Sequence, residues 1–98
     1  MNIFSLSNKH IVISGASSGI GRQCAISCAK AGALVSLIGR NKERLEETLA
    51  SMVNPEKHHI YSVDLTNNNH VLTTVKMIVE TSGIIDGLIN CAGISNTL

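Results

Sequence analysis

The 98-residue chain has no tryptophan, one phenylalanine, one tyrosine and one proline. Its core must therefore be aliphatic, and with one proline little interrupts helix or strand formation. Charge is sparse as well. Asp, Glu, Lys and Arg make up 15% of residues and sum to +1, and the basic ones are scattered. Without a basic cluster, neither nucleic acid nor an anionic membrane surface is expected as a partner. Long apolar runs are also missing: the longest stretch without Asp, Glu, Lys or Arg is twelve residues, too short for a bilayer span. The start, Met1 to Ser7, shows no apolar core followed by a small-residue cleavage site, so no targeting segment is expected.

Cysteines are few and odd in number. Cys24, Cys28 and Cys91 lack the spacing of a disulfide framework, which predicts reduced thiols and a cytoplasmic protein. Cys24 and Cys28 share a helix face but have no further ligands nearby. They are expected as small buried apolar side chains, and no metal site is predicted. His58 and His59 are adjacent, so on a strand they point to opposite faces and cannot chelate one ion. A solvated loop-to-strand junction is expected there.

What the chain does have is 44% hydrophobic residues in alternating kinds of segment. His10 to Ser14 is short and β-branched and runs into a glycine-rich loop, which predicts a buried strand. Ile20 to Ala31 reads as a helix with Ile20, Cys24, Cys28 and Ala31 on one stripe and Gly32 as its stop. Leu34 to Gly39 is a second strand. Lys42 to Val53 is a second helix, with Leu45, Leu49, Met52 and Val53 as its apolar stripe and Asn41 as N-cap. Pro55 lies beyond its end. His59 to Val63 is a third strand. A third helix follows, capped by Thr66 or Asn67, with the stripe Val71, Val75, Ile78 and Val79 and the stop Ser82-Gly83. Gly87 to Cys91 is the fourth strand. This β-α-β-α-β-α-β order predicts an α/β fold: a Rossmann-type parallel sheet in the order 3-2-1-4, with helices on both faces.

The loop after the first strand reads Ser14-Gly15-Ala16-Ser17-Ser18-Gly19-Ile20-Gly21. Gly15 permits a tight turn, Gly19 leaves room for pyrophosphate, and Gly21 lets the helix pack near the strand. The helix N-terminus then offers N–H groups and partial positive charge to phosphates. Ligands of open α/β sheets bind outside the carboxyl ends of the strands. There the second strand ends in Gly39-Arg40-Asn41, the third in Asp64-Leu65, and the fourth in Asn90-Cys91-Ala92-Gly93.

With these motifs the sequence resembles the short-chain dehydrogenase/reductase family, in its ordinary rather than extended subgroup, from about Ser5 to Ile94. The extended epimerases and dehydratases usually carry a G-x-x-G-x-x-G loop, whereas Gly15, Gly19 and Gly21 are spaced four and two. Cys91 departs from the usual Asn-Asn-Ala-Gly. The resemblance implies that Gly15, Ser17, Ser18, Gly19, Ile20 and Gly21 hold the dinucleotide phosphates. It places Asn90 near the adenosine ribose, and Ala92 and Gly93 beside the backbone path towards nicotinamide. Asp64 would bind the adenine amino group, with Leu65 against the ring. Arg40 and Asn41 lie where cofactor choice is made. An NAD-preferring site has an Asp or Glu at the end of the second strand, where this chain has Gly39. Arg40 instead offers a fixed positive charge to a 2′-phosphate, which favours NADP, with NAD as the other possibility. Many NADP-preferring members also carry a basic residue where this chain has Ser18.

The family's catalytic Ser, Tyr-x-x-x-Lys and further Asn all follow the Asn-x-Ala-Gly motif. Tyr61 is the only tyrosine, and Leu65 rather than lysine stands four residues on. No catalytic residue is assigned. Residues 1–98 are expected to be the N-terminal part of a single NAD(P)-binding Rossmann domain, truncated before the catalytic segment. The parent is expected to be a homo-oligomeric oxidoreductase acting on a small-molecule alcohol/carbonyl substrate, for example like a 3-oxoacyl-carrier-protein reductase. A non-catalytic, stand-alone nucleotide-binding or regulatory remnant is the alternative.

Overall fold

His10–Ser14 forms β1, and every residue of it is buried. The computed structural model describes residues 5–16 and 18–91. Around β1 lie β2 (Leu34–Gly39), β3 (His59–Ser62) and β4 (Gly87–Asn90), in the order β3-β2-β1-β4. All three pairings are parallel, as the strand-helix alternation predicts. Each crossover carries one helix: α1 (Gly19–Lys30), α2 (Lys42–Ala50) and α3 (Asn68–Ser82).

Side chains alternate across the sheet and divide the core in two. Ile11, Ile13, Val35 and Leu37 face α1 and α2, packing with Ala25, Ala29, Leu45 and Met52. Val12 and Ile38 face the other way and pack with Ile78 of α3. The helices are thus divided between the two faces.

Several helix details differ from the sequence reading. The buried line of α1 is Gly21, Ala25 and Ala29, one position on from the expected stripe; Ile20 is exposed, and Cys24 and Cys28 are half-buried. Small residues win this face because they let the helix approach β1 closely. Burial, and then the neighbouring Cys24, pushes the Cys28 thiol above its ordinary value. α2 ends at Ala50 rather than Val53. Ser51 caps it, Asn54 turns left-handed at φ +49°, and Pro55–Lys57 makes a single 3-10 turn. Pro55 disfavours helical backbone only at Asn54, so it bars continuation past Val53 but does not set the stop at Ala50. Met52 still reaches the core, whereas Val53 is exposed. In α3 only Ile78 of the expected stripe is fully buried, and Val75 and Val79 are exposed, because little of the described chain packs on that face.

His58 corrects the expected solvated junction. It is 6% exposed. Its Nδ1 accepts from the Val35 N–H at 3.1 Å, so Nε2 carries the proton and donates to the Val53 carbonyl at 3.0 Å. The ring thereby ties the α2–β3 loop to the start of β2. Burial holds its pKa below the usual 6.5, against the opposing pull of the Val53 carbonyl and Glu56. His59 points outward and is exposed. At the same end of the sheet His10 donates through Nδ1 to the Gly83 carbonyl at 3.1 Å, and its Nε2 meets Ser36 Oγ at 2.7 Å. Its backbone N–H donates to Asp86 Oδ2 at 2.8 Å, which anchors the turn from α3 into β4.

Candidate functional site

The carboxyl ends of the four strands finish almost level. Ser14 stands opposite Ile38 on one side and Asn90 on the other, and Gly39 stands opposite Ser62. Parallel pairing therefore gathers the glycine loop, Arg40, Asp64 and Asn90 at one edge of the sheet.

The glycine loop is built by backbone needs. Gly15 has φ +72°, a conformation side chains resist. A Cβ on Gly21 would strike the Gly15 carbonyl oxygen and lie 2.8 Å from the Ala16 Cα. A Cβ on Gly19, by contrast, would meet nothing within 4 Å. No described protein atom requires glycine at that position, which leaves open space over the start of α1. Ser18 is the N-cap of α1: its hydroxyl accepts from the Gly21 N–H at 3.0 Å and donates to the Gly15 carbonyl at 2.8 Å. The first N–H groups of a helix have no intrahelical acceptor, and those of Gly19 and Ile20 have no partner among the described residues. Ile20 stands exposed beside them. Such a helix start, with its partial positive charge, is suited to an anion.

The loop is held from two sides by residues the sequence reading passed over. The Ala16 N–H donates to the Ile38 carbonyl at 3.1 Å, and Thr48 Oγ1 donates to the Ala16 carbonyl at 3.3 Å. Thr48 is 1% exposed. It sits three residues after Leu45, so the periodicity of α2 contains it, but its polar side chain hides it from an apolar stripe. Ser14 Oγ donates to Asn90 Oδ1 at 2.8 Å, and the Cys91 N–H donates to the Ser14 carbonyl at 2.9 Å. Burial, then the nearby Cys24 thiol, raises the Cys91 pKa.

Arg40 is exposed just beyond β2; its guanidinium makes no hydrogen bond or ion pair among the described residues but lies within electrostatic range of the Asp64 carboxyl. Asn41 caps α2, its Oδ1 accepting from the Arg44 N–H at 3.1 Å. Asp64 Oδ1 accepts from the Thr66 N–H at 2.9 Å and from the Thr66 hydroxyl at 2.7 Å. These two bonds, with a smaller push from Arg40 and His70, hold its pKa below the usual carboxylate value. Asp64 borders an open groove of about 550 Å³ between β3 and α3. Leu65 is half-buried against the Val12, Ile38 and Ile78 cluster. Thus Gly15, Ser18, Gly19, Ile20, Gly21, Arg40, Asn41, Asp64, Leu65 and Asn90 are placed. Ser17, Ala92 and Gly93 lie outside the described residues. Tyr61 is half-buried on the α3 side of the sheet, packed against the same cluster as Leu65. Among the described residues no group of His, Cys, Asp and Glu could hold a metal ion.

Residues 9–98 match the family model described as short chain dehydrogenase. The chain is 39% identical over 99 aligned residues to a 3-ketodihydrosphingosine reductase of Mus musculus, covering 92% of this chain and 29% of that protein. Among solved structures, the citronellol catabolism dehydrogenase of Pseudomonas aeruginosa PAO1 superposes with a TM-score of 0.81 at 31% identity, over 90% of this chain and 37% of that one. An NAD+-bound xylitol dehydrogenase superposes at 0.80 with 31% identity, over 89% and 33%. The chain thus spans about three-tenths of the length of the curated relatives it matches. On the family match, the parallel sheet and the glycine turn between β1 and α1, the chain belongs to the short-chain dehydrogenase family.

Proposed function

We propose that this chain is the NADP(H)-binding portion of a short-chain oxidoreductase whose parent moves hydride between NADP(H) and an alcohol/carbonyl substrate. The observation that carries the reading is Arg40: it stands exposed at the end of β2, without a hydrogen-bond partner for its guanidinium among the described residues, where a carboxylate would bind ribose hydroxyls and repel a 2′-phosphate. Gly15 and Gly21 shape the turn, Gly19 leaves the approach to the α1 N–H groups open, and Asp64 and Asn90 stand at the same edge. These residues fit a dinucleotide along the carboxyl ends of the strands, and they bind and orient it. The nicotinamide would supply the hydride. Ser17, Ala92 and Gly93 belong to the same proposed site, and NAD remains the competing cofactor.

No residue of the chain is assigned a catalytic role. Both a 3-oxoacyl-carrier-protein reductase and a 3-ketodihydrosphingosine reductase are named for a keto group, and ketone reduction is the parent activity we favour. The parent is proposed to be a homo-oligomer, and the three free thiols suit a reducing, cytoplasmic setting. A purely nucleotide-binding or regulatory role is the second reading.

The test is cofactor choice. Replacing Gly39→Asp together with Arg40→Ser should move preference from NADP(H) towards NAD(H). Loss of the charge-assisted contact should cost about 1.5–3 kcal/mol, or about 10- to 150-fold in affinity for NADPH. Titrations of both nucleotides that keep the same affinity ratio in the double variant would refute the assignment of Arg40.

A further inference from the structure

A 2′-phosphate carries between one and two negative charges near neutral pH, more than one exposed guanidinium neutralises. Resemblance would put a second basic residue at the position of Ser18, but the Ser18 hydroxyl is committed inside the loop, to the Gly15 carbonyl and the Gly21 N–H. A cleft of about 210 Å³ opens beside it, between the start of α1 and α2, lined by Ser18, Gly19, Arg22, Arg44, Glu47 and Thr48. Two arginines and one glutamate thus line the space next to the glycine turn.

The two arginines are not equivalent. Arg22 is held in place: its Nη2 donates to Ser51 Oγ at 2.8 Å, and that hydroxyl donates to the Glu47 carbonyl at 3.0 Å. Arg44 has its backbone fixed, because its N–H donates to the capping Asn41, but its guanidinium has no partner among the described residues. A cation in the first turn of a helix also opposes the helix dipole, so Arg44 does nothing for α2 by standing there. It lies one turn beyond Arg40, on the far side of the Asn41 cap, and reaches the cleft at Ser18 and Gly19.

We infer that Arg44 supplies the second positive charge for the 2′-phosphate, from α2 instead of from the glycine loop, and so acts with Arg40 as a specificity-determining residue. The inference rests on the NADP(H) reading above. Glu47, on the same cleft, works against it and tempers the preference.

The experiment measures NADP+ and NAD+ affinities of the 98-residue chain by calorimetry, since the two ligands differ only in the 2′-phosphate. Arg44→Ala should lower the NADP+ to NAD+ affinity ratio about two- to fivefold and leave NAD+ affinity unchanged, as expected for an exposed charge contact. Arg44→Lys should recover most of the ratio, and Glu47→Gln should raise it above that of the parent chain. These last two variants keep the side-chain bulk and decide the matter should Arg44→Ala unfold. An unchanged ratio in Arg44→Ala, with collapse in Arg40→Ala, overturns the role of Arg44 and leaves the NADP(H) reading standing. A ratio near one in the unaltered chain, a ratio that ignores Arg40→Ala, or no binding of either nucleotide overturns that reading and this inference with it.

Discussion

At Gly21 an added methyl group would press on the Gly15 carbonyl and on Ala16, whereas at Gly19 it would meet open space. The two glycines, two positions apart, therefore make opposite predictions. Gly21→Ala should destabilise the fold by about 1–3 kcal/mol, the range for overpacking a tight site, in urea unfolding. Gly19→Ala should leave the unfolding midpoint close to its original value yet weaken NADPH binding, because in the proposed site a phosphate takes that space. Equal losses of stability would refute this division of roles. A second prediction concerns His58, whose folded pKa lies below 6.5 because it is buried. As pH falls through 6.5 the unfolded chain takes up the proton first, so stability falls with acidity until the lower, folded value is passed. Urea midpoints should begin to drop as pH falls through the unfolded value of 6.5, and His58→Gln should flatten that slope. The Asp64 carboxyl, held below 3.8 by Thr66, titrates below this onset. Gly15 and Gly21 were legible because backbone geometry demands glycine at both. His58 was not: its two partners, Val35 and Val53, are backbone groups that no side-chain pattern announces.

Secondary-structure elements carried the clearest signals at their starts. Asn41 and Asn67 both cap the helices that follow them, and the Asn67 side chain accepts from the Asn69 and His70 N–H groups. Asn67→Ala should cost about 1 kcal/mol, while the exposed Asn69→Ala should cost far less. Thermal melts of the two variants check this, and equal shifts would remove Asn67 as the cap of α3. Ends and faces were harder to read. α2 stops three residues short of the expected Val53, and α1 buries Gly21, Ala25 and Ala29, which apolar periodicity undervalues. Third and fourth strands were expected one residue longer than they are. Their ladders nonetheless continue in hydrogen bonds from the Val63 N–H to Gly39 and from the Cys91 N–H to Ser14. Strand order followed from alternation and handedness, which leave few alternatives.

Among the described residues β4 is the last strand of the sheet, with Leu88 67% exposed, and α3 presents Leu72, Val75, Met77 and Val79 to solvent. Neither lysine nor proline guards the β4 strand, and apolar surface beside an open strand edge favours association. The 98-residue chain on its own should therefore sediment as concentration-dependent species, and Leu88→Lys should shift it towards monomer. A sharp monomer at all concentrations would contradict this. The Ser14–Asn90 hydrogen bond joins residues 76 apart in sequence, whereas β1, β2 and β3 follow one another through single helices. Closing so wide a loop is entropically dear and slow relative to local crossovers. As the chain leaves the ribosome, β1, β2 and β3 can assemble with α1 and α2 while the outer side of β1 still waits for its neighbour. Asn90 reaches the nucleotide edge only with that final docking step, so cofactor capture during refolding would time the arrival of β4.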